Sequence, residues 1–128
     1  MAIFRTVDGH HVLVVDDDAD IRALLVSVLS DEGYEARSAN NGKEALAMVE
    51  AWPVDAIVLD LMMPVMDGWT FVEKLRADDR RIPIVILSAA THLDKHSTRL
   101  GAVDFMPKPF DLETLLPRIA RMTGGAPA

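Results

Sequence analysis

Four apolar runs in the chain each lead into a group able to do chemistry. Val12-Leu13-Val14-Val15 is followed by Asp16 and Asp17, Ile57-Val58-Leu59 by Asp60, and Ile84-Val85-Ile86-Leu87 by Ser88. The fourth, Val103-Asp104-Phe105-Met106, runs into Pro107-Lys108-Pro109. If these runs are parallel strands of one sheet, their ends lie along one edge, and three carboxylates, a hydroxyl and an ammonium meet there. Clustered carboxylates repel one another unless a proton or cation is shared, and a hard dication with oxygen ligands relieves them. Mg2+ needs only one or two direct carboxylates and leaves room for a carbonyl, so the expected ligands are Asp16, Asp17, Asp60 and the backbone carbonyl of Met62. An acidic site that recruits a dication is suited to phosphate. Asp60 then reads as a nucleophile that forms an acyl phosphate. Lys108 and the N–H of Ala89 would hold the transferring oxygens, and the Ser88 hydroxyl would bond the new phosphate.

The elements that must position these groups follow from periodicity. Ile21, Leu24, Leu25, Val28 and Leu29 form one stripe of helical period, ended by Gly33. Tyr34 to Ala39 alternates weakly, as a strand near a sheet edge does. Asn41 and Glu44 have the spacing of a capping box, opening a helix through Ala45, Leu46, Val49 and Trp52 that Pro53 closes. Asp67 is a cap for a helix that buries Phe71, Val72 and Leu75. The run IPIVIL, from Ile82 to Leu87, is a strand covered on both faces, with Pro83 tolerable only near its start. The polar segment from Ser88 to Gly101 has room for a short helix at most. Asp111 caps a last helix that buries Leu112, Leu115, Leu116 and Ile119, is bent by Pro117, and is suited at its end by Arg118 and Arg121. His10 and His11 read as exposed residues before the first strand. Trp52 and Trp69 read as packing on helix faces. Strand and helix alternate five times, which is the pattern of a parallel sheet with helices on both sides.

Composition narrows the classes further. The 128 residues suffice for one domain, 50% of them hydrophobic. Residues 1–10 form a lead-in, 11–123 the domain and 124–128 a tail. A net charge of -7, with 20 acidic residues against 13 basic, disfavours direct nucleic-acid binding. Cysteine is absent, which removes disulfides and thiolate metal sites. No signal-like or membrane-spanning stretch is seen, so a cytoplasmic, stand-alone module without membrane insertion is expected. No G-x-G-x-x-G or G-x-x-x-x-G-K-[ST] occurs, and Asp60-Leu61-Met62 lacks the second acid of an aspartyl phosphatase.

Taken together, VLVVDDDADIR, DAIVLDLMMPVMDG, IVILSA and GAVDFMPKPF resemble, in order, the signature stretches of the receiver domain of two-component response regulators, the CheY-like family. The resemblance runs from about residue 11 to residue 122. It implies an α/β, (βα)5 flavodoxin-like sandwich with strand order 2-1-3-4-5. It also implies phosphorylation of Asp60 by a sensor histidine kinase or phosphotransfer protein, with Asp16, Asp17, Asp60 and Met62 on Mg2+ and Lys108 on the phosphate. Ser88 and Phe105 become the switch pair, the hydroxyl shifting toward the phosphoryl group while the ring turns. Such a module catalyses only its own phosphorylation and dephosphorylation and signals to a downstream protein target. The alternative is a phosphorylation-independent adaptor or phosphate sink. The segment after Ser88 is about two residues shorter than in common members, which implies a shortened fourth helix. Met62 and Ala90 are apolar where a polar side chain could orient a hydrolytic water, so slow self-dephosphorylation is expected.

Overall fold

The computed structural model describes residues 9–60, 66, 68–78, 81–88 and 104–124. The strands are β1 (His11–Val15), β2 (Glu35–Ala39), β3 (Ala56–Asp60), β4 (Ile84–Ser88) and β5 (Asp104–Pro107). The helices are α1 (Ala19–Asp31), α2 (Gly42–Ala51), α3 (Gly68–Ala77) and α4 (Leu112–Met122). All strand pairs are parallel, in the order β2-β1-β3-β4-β5. The fold is therefore the five-stranded flavodoxin-like sheet, and the order reverses between β1 and β3, the position beside whose carboxyl ends sheets of this kind bind their ligands. No helix among the described residues is long and apolar enough to cross a membrane.

Alternation along the central strands divides the core. Leu13, Val15, Ile57, Leu59, Ile84 and Ile86 face α2 and α3, packing on Ala45, Val49, Phe71, Val72 and Leu75. Their neighbours Val12, Val14, Val58, Val85 and Leu87 face α1 and α4, against Leu25, Leu29, Leu115 and Ile119. Both faces are covered, so these strands read as continuous apolar runs rather than as alternating ones. Pro83 precedes β4, where its missing N–H costs no ladder bond, and its carbonyl accepts from Ile57 N–H at 3.0 Å.

Local chemistry sets the helix ends. α1 stops in a Schellman turn: Gly33, at φ 103°, donates to the Ser30 carbonyl, and Tyr34 donates to that of Leu29, both at 3.1 Å. Asn41 caps α2 by accepting from Glu44 N–H at 2.8 Å. Glu44 returns the bond one residue earlier than the usual box, to Asn40 N–H at 3.1 Å. Asp111 caps α4 through Glu113 N–H, and that helix runs through Pro117 without a break. Asp67, Met62, Ala89 and the segment after Ser88 lie outside the described residues.

Four expectations need correction. His11 belongs to β1, where it pairs with Glu35. Its N–H donates to Asp55 Oδ2 at 2.7 Å, and its ring stacks on Trp52 at 4.5 Å and 6°. The stacking partner lies 41 residues away, so no local pattern announces it. Leu24 is 48% exposed, because the α1 stripe that reaches the sheet centres on Leu25 and Leu29 with Val26 beside them. Trp52 lies just beyond α2 as its C-cap. Arg118 turns away from the helix end to donate to Asp104 Oδ1 at 3.2 Å and the Phe105 carbonyl at 2.9 Å, fastening α4 to β5.

Candidate functional site

Asp16 follows β1 directly and Asp60 closes β3, on the two strands flanking the reversal of strand order. Both acids are buried, at 2% and 5% exposure. Nothing in the apolar interior would tolerate two such carboxylates unpaired. Lys108, one residue past β5, answers them: its Nζ lies 3.3 Å from Asp16 Oδ2 and 3.4 Å from Asp60 Oδ1. Burial by itself would lower the pKa of this lysine. The charges and hydrogen bonds of Asp16 and Asp60 together outweigh that effect and hold it above its ordinary 10.5.

The three aspartates of the β1–α1 turn have separate surroundings. Asp16 Oδ1 accepts from Asp18 N–H at 2.9 Å while Oδ2 faces Lys108, so both of its oxygens are engaged. Asp17 is exposed, with a carboxylate oxygen beside those of Asp16 and Asp60. Asp18 is turned to α1 as its N-cap, accepting from Asp20 N–H at 2.9 Å and Ile21 N–H at 3.3 Å. One oxygen from each of Asp16, Asp17 and Asp60 lies within 4.8 Å of the others. Among the described residues the cluster sets three carboxylates beside one ammonium, a formal excess of negative charge that suits a divalent cation. The donor set, all hard oxygen, fits Mg2+ or Ca2+ rather than a soft metal.

Ser88 ends β4 in register with Pro107, one residue before Lys108. Phe105 pairs with Ile86 one turn of the pleat earlier and packs against the core on the α2 and α3 side. The sheet thus brings Asp16, Asp17, Asp60, Ser88 and Lys108 to one edge from four strands. Arg22 is a residue the sequence reading passed over. From the first turn of α1 its Nη1 donates to the Asp16 carbonyl at 2.8 Å, pinning the acidic turn from behind. A lone cation six residues after the first acid, in the opening turn of a helix, was the available signal.

A buried acid pair at a sheet's reversal point, an exposed third acid beside it and a lysine bridging from the edge strand define an aspartate-centred phosphoryl switch. The chemistry of such a site takes place on its own side chains rather than on an external substrate. Residues 12–120 match the response regulator receiver domain, and the chain belongs to that family, whose members are phosphorylation-dependent signalling switches. It is 44% identical over 110 residues to response regulator MprA of Mycobacterium leprae, covering 84% of this chain and 48% of that protein. The chain spans about half the length of the curated relatives it matches. Among solved structures it is similar to chemotaxis protein CheY4 of Vibrio cholerae, with 36% identity, a TM-score of 0.82, and coverage of 89% of this chain and 98% of the other. It is also similar to response regulator TrrA of Thermotoga maritima, solved in complex with Mg2+ and BeF. Identity there is 31%, the TM-score 0.79, and coverage 88% and 98%.

Proposed function

We propose that Asp60 is the phosphoacceptor of this receiver domain and that a phosphohistidine on a sensor histidine kinase or phosphotransfer protein is its donor. The observation that carries this reading is the position of Lys108, within 3.4 Å of both buried acids and beside the three-carboxylate cluster. An Asp60 carboxylate oxygen forms the new P–O bond, the P–N bond of the phosphohistidine breaks, and the imidazole leaves with a proton. Asp16, Asp17 and Asp60 would hold Mg2+, with the Met62 carbonyl completing the protein ligands. When bound, the cation neutralises charge on the transferring oxygens. Lys108 moves its hydrogen bonds from the carboxylates to the phosphoryl oxygens. The N–H of Ala89 supplies another donor, and the Ser88 hydroxyl bonds the product phosphate.

Once phosphorylated, Asp60 carries additional negative charge at the end of a buried strand, and Ser88 and Phe105 act as the pair that relays it. The partners are the phosphoryl donor and a downstream protein target in the cytoplasm, with no direct contact to nucleic acid. The test is incubation with Mg2+ and acetyl phosphate followed by intact mass. A gain of one phosphate that is lost in Asp60→Asn supports the assignment. An unchanged wild-type mass in the presence of bound Mg2+ overturns it and leaves a phosphorylation-independent adaptor.

A further inference from the structure

Asp60 and Lys108 are joined at the site by their ion pair, and the segments that carry them meet a second time away from it. Nine residues after Asp60, Trp69 lies in the first turn of α3. Three residues before Lys108, Phe105 lies in β5. Their ring centroids are 6.3 Å apart with the planes tilted by 44°, within the range of a direct aromatic contact. Both rings pack on the same apolar cluster, the one containing Ile84 and Ile86 of the intervening strand β4. Trp69 therefore spans β4 to reach an edge-strand ring.

Neither ring is fully buried, whereas Phe71, Val72 and Leu75 further along α3 are. The contact thus sits at the solvent margin of a rigid core, where an aromatic ring has room to change rotamer without opening a cavity beneath it. On the other side of β5, Arg118 holds the Phe105 carbonyl and the Asp104 carboxylate, so the backbone of the strand is anchored and the ring is the part left to respond.

We propose that Trp69 is the positioning partner of Phe105, and that this contact couples occupancy of Asp60 to the N-terminal turn of α3. The proposal rests on Asp60 being the phosphoacceptor. Any turn of the Phe105 ring alters the tilted contact with Trp69. The turn of α3 that opens just after the segment following Asp60 then responds together with the edge strand. Trp69 is in this sense a second reader of the switch, carried on α3.

The test pairs intact mass with tryptophan emission, before and after treatment with Mg2+ and acetyl phosphate. In the wild type, emission changes in step with the gain of one phosphate. Trp69→Phe gains the phosphate and loses the emission change, which places the signal at Trp69 rather than Trp52. Phe105→Leu gains the phosphate and loses most of the change, while Phe105→Tyr, which keeps a ring, retains it. An emission change of wild-type size in Phe105→Leu overturns the coupling, as does a phosphorylated wild type with unaltered emission. A wild type that gains no phosphate at all instead overturns the acceptor assignment, so the two failures read differently.

Discussion

Replacing Lys108 with Met keeps most of the side-chain stem and removes the ammonium that bridges Asp16 and Asp60. At N–O distances of 3.3 and 3.4 Å and an effective dielectric of about 20, each attraction is about 5 kcal/mol before desolvation is counted. Desolvation offsets most of that, and breaking a buried pair by removing one partner typically costs about 3–5 kcal/mol. The lysine side chain retains 21% exposure, which moderates the cost. We therefore expect a loss of about 2–4 kcal/mol in EDTA at neutral pH. With a urea dependence of roughly 1–3 kcal/mol/M, the midpoint falls by about 1–2 M. Saturating Mg2+ should narrow the gap. The variant presents the carboxylate cluster to the cation without the Lys108 charge beside it, binds it more tightly than the wild type, and gains more stability from it by mass action. Urea unfolding followed by circular dichroism, with and without Mg2+, measures both effects. Equal midpoints in EDTA, or a deficit that Mg2+ leaves untouched, would refute the view that Lys108 is the internal counter-ion of an acidic metal site.

Three further outcomes are expected. The Lys108 pKa is raised in the fold, so its contribution to stability is complete below the ordinary 10.5 and is lost as pH rises through the folded value. Tyr34, also raised, chiefly by burial, loses its contribution over the same alkaline range. The difference between wild type and Lys108→Met in metal-free buffer, followed upward from pH 10.5, isolates the lysine, and that gap should close. Gly42→Ala places a Cβ 3.0 Å from both Cγ and the carbonyl of Met66. Overpacking of about 1–3 kcal/mol exceeds the gain in helix propensity of about 1 kcal/mol, so urea unfolding should show a net loss. Phosphorylated protein freed of donor should persist well beyond minutes in Mg2+, since Met62 and Ala90 offer no polar side chain to a hydrolytic water. A decay half-life of minutes or less would contradict this.

The sheet was legible because β1, β3 and β4 are covered on both faces, so burial wrote uninterrupted apolar runs into the sequence and left each strand's last polar residue conspicuous. The caps at Asn41 and Asp111 were legible for a local reason, since each bonds within three residues of itself. What escaped depends on partners far apart in the chain. His11 gave no sign of its stack on Trp52. Arg118 looked like a helix-end cation until β5 supplied Asp104 and the Phe105 carbonyl. The Trp69–Phe105 contact joins positions 36 residues apart across an intervening strand. Leu24 was misjudged for a subtler reason: helical period fixes the spacing of a stripe but not its centre, and the sheet chose the side with Val26.

The run Asp16-Asp17-Asp18 shows how three identical residues acquire different work from backbone geometry alone. β1 ends under full burial, so the carboxylate that follows it has to find partners within the protein, and Asp16 takes the Asp18 N–H and Lys108. One residue later the chain has turned outward, and Asp17 keeps its carboxylate exposed to solvent while remaining close to those of Asp16 and Asp60. One further on, the extended backbone of Asp18 precedes the free N–H groups of α1, and its carboxylate turns to them as a cap. Helix formation thus draws the third acid away from the cluster, leaving a formal excess of negative charge that suits a divalent cation. Arg22, reaching back from the same first turn to the Asp16 carbonyl, ties the start of α1 to the placement of the buried acid. The helix and the charge balance of the site are therefore set by one short turn.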